Sequence, residues 1–74
     1  MKIINTKLEE VKIICPTIYE DNRGLFFESF NKKLFDKLIQ KNTKFVQDNH
    51  SKSEFNVLRG LHYQSKPFEQ GKLV

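Results

Sequence analysis

The segment Val57-Leu58-Arg59-Gly60-Leu61-His62-Tyr63-Gln64 decides the fold prediction, because its aliphatic and aromatic residues favour a β-strand. An arginine, a glycine and a histidine interrupt this apolar run, which indicates that the strand also carries chemistry. Upstream, Phe45–Ser53 predicts a second strand, with Gln47 and Asn49 on one face. Glu54-Phe55-Asn56 would connect the two strands, so the sequence predicts a β-hairpin.

The first half of the chain predicts further short strands and one helix. Lys2–Asn5 and Val11–Pro16 are rich in isoleucine and valine, as strands are. Asp21-Asn22-Arg23-Gly24 has the composition of a turn and leads into a strand over Leu25–Phe30. Asn31 is expected to cap a helix that runs to about Gln40, with an apolar stripe at helical spacing. The chain is therefore predicted to be mainly β, with one short helix.

The length of the chain limits its core. A chain of 74 residues buries only about 60–65% of the surface that its unfolded form exposes. Cys15 is the only cysteine, so no intrachain disulfide can compensate, and it is expected to be a small core residue rather than a nucleophile. After a loop at Ser65–Gly71, Lys72–Val74 resembles the start of another strand, whose edge would be exposed. We therefore expect oligomerisation, or further polypeptide, to complete the core.

The charge distribution limits the class of partner. The net charge of +4 is compatible with a phosphorylated small molecule. Five lysines lie in or just after the predicted helix, where a solvated face is the ordinary explanation, so nucleic acid is not expected as a partner; they are Lys32, Lys33, Lys37, Lys41 and Lys44. No long apolar segment or signal peptide is present, and the chain is expected to be cytoplasmic, without a membrane partner.

His62 is the strongest single candidate for catalysis, because an imidazole titrates near pH 6.5 and suits a general base. A lone histidine in a strand is usually structural, but Arg59 and Lys72 could supply cationic groups beside it. In a regular strand Arg59 and His62 would point to opposite faces. A shared site therefore requires an irregular backbone between them, and Gly60 is where a bulge would fit.

Other residues are weaker candidates. Arg23 could clamp a phosphate through its planar guanidinium, although an exposed turn arginine is the simpler explanation. Glu28 stands between two phenylalanines and could orient a base or a sugar. His50 and His62 lack the further ligands that metal-binding β-barrels supply, so no metal site is expected and His50 is interpreted as a structural hydrogen-bonding group.

Four segments together resemble one family. D-x-R-G-x-F-x-E-S-F, F-V-Q-D-N-H-S-x-S, V-L-R-G-L-H-Y-Q and Q-G-K-L-V occur in the order and spacing of dTDP-4-dehydrorhamnose 3,5-epimerases. The resemblance covers nearly the whole chain. It implies a cupin-type jelly-roll barrel, a homodimer with exchanged N-terminal strands, and no cofactor or metal.

The resemblance also implies a reaction and roles for residues. The substrate implied is dTDP-4-dehydro-6-deoxy-D-glucose, which would be epimerised at C3 and C5 to dTDP-4-dehydro-L-rhamnose in dTDP-rhamnose biosynthesis for cell-envelope polysaccharides. His62 would be the general base, and Lys72, with Arg59, would stabilise the enolate. The remaining substrate-binding positions implied are Arg23, Glu28, Gln47 and Asn49.

Length is the departure from the family pattern, because family members are more than twice as long. Residues 1–74 would be the N-terminal portion of a single cupin-like domain, and the 74 residues alone are expected to be inactive, since the proton donor of the family lies in the missing portion. Two alternatives remain: a non-catalytic sugar-nucleotide-binding or assembly module, and an isomerase of a related dTDP-keto sugar.

Overall fold

The N-terminal residues form an antiparallel hairpin. A computed structural model describes all 74 residues, and in it strand β1 (Lys2–Asn5) pairs with strand β2 (Lys12–Cys15). Where β1 ends, the hydroxyl of Thr6 lies 2.8 Å from the carbonyl oxygens of Leu8 and Val11 and closes the connection. Both strands confirm the sequence prediction, although β2 is shorter than predicted at each end.

A second, separate hairpin follows directly. Strand β3 (Ile18–Asp21) pairs with strand β4 (Gly24–Phe27) across a two-residue turn. Gly24 has a φ of 134°, a backbone conformation that residues with a Cβ atom rarely adopt. No strand is predicted over Ile18–Asp21, because two acidic residues lead directly into the turn and such residues are infrequent in strands. The predicted strand over Leu25–Phe30 begins one residue earlier and ends at Phe27.

The only helix, α1 (Lys32–Ile39), confirms the prediction closely. Its N-cap is Asn31, whose side-chain oxygen accepts a hydrogen bond of 3.1 Å from the backbone N–H of Leu34. Its C-cap is Gln40, which has the left-handed conformation common at helix ends, with φ 57°. At eight residues, this helix is too short to cross a bilayer.

The core consists of a cluster of three phenylalanines around α1. Phe35 is the one buried residue of the chain, 7% exposed, and its ring centroid lies 5.4 Å from that of Phe30 and 5.7 Å from that of Phe45. The rings of Phe30 and Phe45 complete the triangle at 5.5 Å, edge to face. This aromatic cluster attaches the segment after the helix to the segment before it. Cys15, expected in the core, is only half-buried.

Residues 41–74 form neither helix nor strand. The predicted hairpin of Phe45–Ser53 with Val57–Gln64 is therefore wrong for this structure, and so is the strand expected to start at Lys72. The physical reason is that neither segment has a neighbouring strand, and hydrogen bonding to a neighbouring strand decides whether an alternating segment becomes a strand. Neither of the two existing hairpins pairs with these segments, since each sheet contains only its own two strands. The coarse fold class, mainly strands with one short helix, is confirmed.

The surface is far larger than that of a folded monomer. The accessible area is 7983 Å², whereas a compact protein of 8.8 kDa exposes about 4,800 Å². The radius of gyration is 15.3 Å, against about 11 Å for a compact chain of this length. The 17 backbone hydrogen bonds are about a third of the number that a compact domain of this size makes. Most of the apolar surface thus faces water, as Phe55 and Leu58 illustrate.

Candidate functional site

Arg23 lies in the turn between β3 and β4, where Asp21 holds it through three hydrogen bonds. The backbone N–H of Arg23 donates to Oδ1 of Asp21 at 2.8 Å. The Nε and Nη2 groups of Arg23 donate to Oδ2 of the same carboxylate at 3.1 and 2.5 Å. The guanidinium hydrogen bonds, followed by the backbone one, lower the pKa of Asp21, and the carboxylate raises the pKa of Arg23. The pair is therefore fully ionised near neutral pH.

A shallow cavity of about 460 Å³ lies against this hairpin. Tyr19 and Phe26, which are partners across the strands, line it together with Arg23. Two aromatic faces beside an arginine suit a ligand that combines a flat ring with an anion. Glu28 follows the end of β4, is exposed, and has no hydrogen-bond or ion-pair partner.

Gln47 and Asn49 form a second polar pair. The Nε2 group of Gln47 donates to Oδ1 of Asn49 at 3.1 Å, although no strand forms there. Both side chains keep free groups, the carbonyl oxygen of Gln47 and the amide nitrogen of Asn49, for a ligand. Phe45 of the aromatic cluster lies two residues before Gln47, so α1 anchors the start of this segment.

The other predicted residues lie on the irregular part of the chain. The Nε group of Arg59 donates to the hydroxyl of Ser53 at 2.7 Å. Gly60 has a φ of 127°, so the backbone between Arg59 and His62 is irregular, but no strand is present for it to bulge from. His62 and Lys72 are exposed and have no side-chain partners. No three histidine, cysteine or acidic side chains meet in a metal-binding cluster.

Of the seven predicted site residues, the structure thus brings only Gln47 and Asn49 together, and it pairs Arg23 with Asp21. Sequence reasoning missed Asp21 as a partner of Arg23; the signal was the D-x-R spacing, since an aspartate often accepts a hydrogen bond from the backbone two residues on. It also missed Lys32, whose position on the predicted helix indicates a solvated face. The Nζ of Lys32 donates to Asp36, Asn42 and the carbonyl of Thr43 at 2.5, 2.9 and 2.6 Å.

Comparison with known proteins identifies the family to which the chain is similar. A family model described as dTDP-4-dehydrorhamnose 3,5-epimerase matches residues 5–74. Proteins of that name from Shigella flexneri and Salmonella typhimurium are each 53% identical over the whole chain, and the one from Escherichia coli K12 is 49% identical.

The match covers only part of each relative. The chain spans 41% of the Shigella protein and 40% of the other two. No solved structure matches the chain. The family match nevertheless takes in every residue of the candidate site, and on that basis the chain belongs to the dTDP-4-dehydrorhamnose 3,5-epimerase family.

Proposed function

We propose that residues 1–74 are the N-terminal portion of an epimerase domain that acts on dTDP-4-dehydro-6-deoxy-D-glucose at C3 and C5. The observation that carries this proposal is the family match over residues 5–74, with about half of the residues identical across the whole chain. All four sequence segments that suggest the family lie inside the match.

The domain proposed is a cupin-type jelly roll that works as a homodimer. Two short hairpins, one helix and an unpaired second half are the parts that such a barrel would complete with further strands. Supporting this, the exposed surface exceeds that of a compact monomer by about two thirds, and much of it is apolar. Further strands would also supply backbone partners for residues 45–74, as buried N–H and C=O groups require.

The chemistry proposed is proton abstraction beside a ketone. A carbonyl at C4 acidifies the hydrogens on C3 and C5, and His62 is the group that would remove them. The electrons of each broken C–H bond would form the C=C of an enolate, whose negative charge then lies on the C4 oxygen. Lys72 and Arg59, both cationic, would stabilise that oxygen. The proton would return on the opposite face from a donor outside these residues.

Substrate binding is assigned to Arg23, Glu28, Gln47 and Asn49. Arg23 suits the diphosphate, since its guanidinium can donate two parallel hydrogen bonds to phosphate oxygens. Gln47 and Asn49 keep an acceptor and donors free for hydroxyl groups. Glu28 is an unpaired carboxylate that can accept hydrogen bonds from a base or a sugar.

A non-catalytic nucleotide-sugar-binding module is the second candidate. The observation that favours it is that the pairs assigned to binding are formed, whereas His62 and Lys72 have no partners. Affinity for dTDP without any exchange of substrate protons would support the module.

The test follows the exchange of substrate hydrogens with solvent. The protein, as its natural gene produces it, is incubated with the keto sugar in D2O, and deuterium at C3 and C5 is measured by mass spectrometry and NMR. We expect His62→Asn to slow incorporation by about 10²- to 10⁴-fold, the usual contribution of a general base. His50→Asn is the matched control and should leave the rate unchanged. Equal incorporation by the unmodified protein and His62→Asn would remove His62 from the mechanism.

A further inference from the structure

The carboxylate of Asp21 joins the backbone of the β3–β4 turn to the guanidinium of Arg23. Its Oδ1 atom accepts the backbone N–H of Arg23, and its Oδ2 atom accepts two hydrogen bonds from the Arg23 side chain. One short acidic side chain thus determines both the conformation of the turn and the direction of the arginine. The strands on either side are paired up to the turn, with Asp21 opposite Gly24, so the pairing fixes both ends of the turn.

The hydrogen bonds use one edge of the guanidinium and leave the other free. Nε and Nη2 form the edge that faces Asp21. The second edge, formed by Nη1 and the other hydrogen of Nη2, is the pair of parallel donors that matches a phosphate. The Arg23 side chain is 86% exposed and that of Asp21 is 47% exposed, so this free edge is open to solvent.

We propose that Asp21 is a positioning residue, which holds the inner edge of Arg23 so that the outer edge is presented to the diphosphate of a nucleotide sugar. This inference rests on the proposed function, because it assumes that Arg23 binds the diphosphate. A free arginine side chain loses rotamer entropy when it binds, and a guanidinium already held by Asp21 loses less.

Charge repulsion alone predicts that Asp21 weakens binding of the diphosphate, whereas the positioning role predicts that it strengthens binding. A carboxylate next to a bound diphosphate repels it, so removal of the charge would strengthen binding if repulsion were the whole effect. At physiological salt this repulsion is largely screened only beyond about 8 Å. The sign of the change in affinity on removing the charge therefore separates a positioning residue from a competing counter-ion.

The experiment measures dTDP binding by isothermal titration calorimetry at physiological ionic strength, with the protein as its natural gene produces it. Asp21→Asn keeps one acceptor oxygen, which can still accept the backbone N–H of Arg23 as in an Asx turn, and it replaces the oxygen that held the guanidinium with an NH2 group. Asp21→Ala satisfies neither. Glu20→Gln is the matched control. Glu20 carries the same charge, is adjacent to Asp21 in sequence, and its side chain forms no hydrogen bond. Arg23→Ala and the double variant Asp21→Asn/Arg23→Ala complete the cycle.

We expect Asp21→Asn to raise the Kd for dTDP about two- to fivefold, the range for exposed ion pairs. Arg23→Ala should raise it about tenfold or more. Glu20→Gln should leave the Kd unchanged or lower it, and the double variant should match Arg23→Ala, because Asp21 acts only through Arg23.

Three results would overturn the inference: tighter binding by Asp21→Asn, a loss that appears in Asp21→Ala but not in Asp21→Asn, or an additional loss in the double variant. Each assigns Asp21 another role, namely a competing counter-ion, a turn residue, or an independent contact. Failure of the unmodified protein to bind dTDP is a separate outcome, which refutes the proposed function and with it the ligand on which this role depends.

Discussion

Replacement of Phe35 by alanine should release α1 from the segment that follows it. Burial of a phenylalanine contributes about 1.5–3 kcal/mol, and each well-placed aromatic pair adds about 0.5–1.5 kcal/mol. Phe35 is 7% exposed and pairs with two rings, whose own exposures of 41% for Phe30 and 39% for Phe45 show that the cluster is open on one side. We therefore expect a loss near the lower limit for Phe→Ala, about 3 kcal/mol.

Native-state hydrogen exchange measures this loss locally. A loss of about 3 kcal/mol corresponds to roughly 100-fold faster exchange of the α1 amides, because protected amides exchange through local opening. Phe35→Leu retains most of the buried area and should cost about 1 kcal/mol. Phe55→Ala is the matched control, since Phe55 is 91% exposed and touches no ring of the cluster. If Phe55→Ala accelerated exchange in α1 as much as Phe35→Ala, the aromatic cluster could not be what holds the helix.

Two further predictions concern the ends of α1. Asn31→Ala removes the N-cap acceptor of the Leu34 amide and should destabilise the helix by about 1 kcal/mol, whereas Asn31→Asp should be tolerated. Circular dichroism during thermal unfolding would measure both effects. Equal melting temperatures of the two variants and the unmodified protein would exclude a capping role for Asn31. Hydrogen bonds from Lys32 and from the backbone N–H of Thr43 lower the pKa of Asp36, so this stabilisation is present above the ordinary carboxyl pKa of about 4 and is lost as the pH falls through the lowered value. NMR of the Thr43 amide between pH 7 and 2 should show the loss, and an identical acid transition in Asp36→Asn would assign it to another group.

The parts of the fold that sequence predicted well are those that depend on neighbouring residues. The helix is determined by Asn31 at its start and by an apolar stripe within it, and both lie within ten residues of each other. Strands β1 and β2 are likewise joined by a short connection whose Thr6 hydroxyl closes the turn. In each case the partner of a group is available a few residues away, so a local pattern is sufficient.

The strands expected after Phe45 depend on partners that residues 1–74 do not place beside them. An alternating pattern in Phe45–Ser53 indicates a tendency to form a strand, but hydrogen bonding to a neighbouring strand decides whether one forms. In the candidate site, too, pairs of nearby residues are formed, whereas residues that need distant partners are not brought together. The spacing of Asp21 with Arg23 and of Gln47 with Asn49 allows each pair to form locally. His62 and Lys72, ten positions apart on irregular backbone, would have to be brought together by contacts over longer distances.

The contacts around α1 also bear on the order in which the chain folds during synthesis. The aromatic cluster and the Lys32 hydrogen bonds link residues no more than 15 positions apart, from Phe30 to Phe45. Contacts of such short range form early, because closing a small loop costs little entropy. The helix and its connection can therefore assemble on the ribosome as soon as Phe45 has left the exit tunnel, before the segment that carries His62 is available to compete for the same phenylalanines.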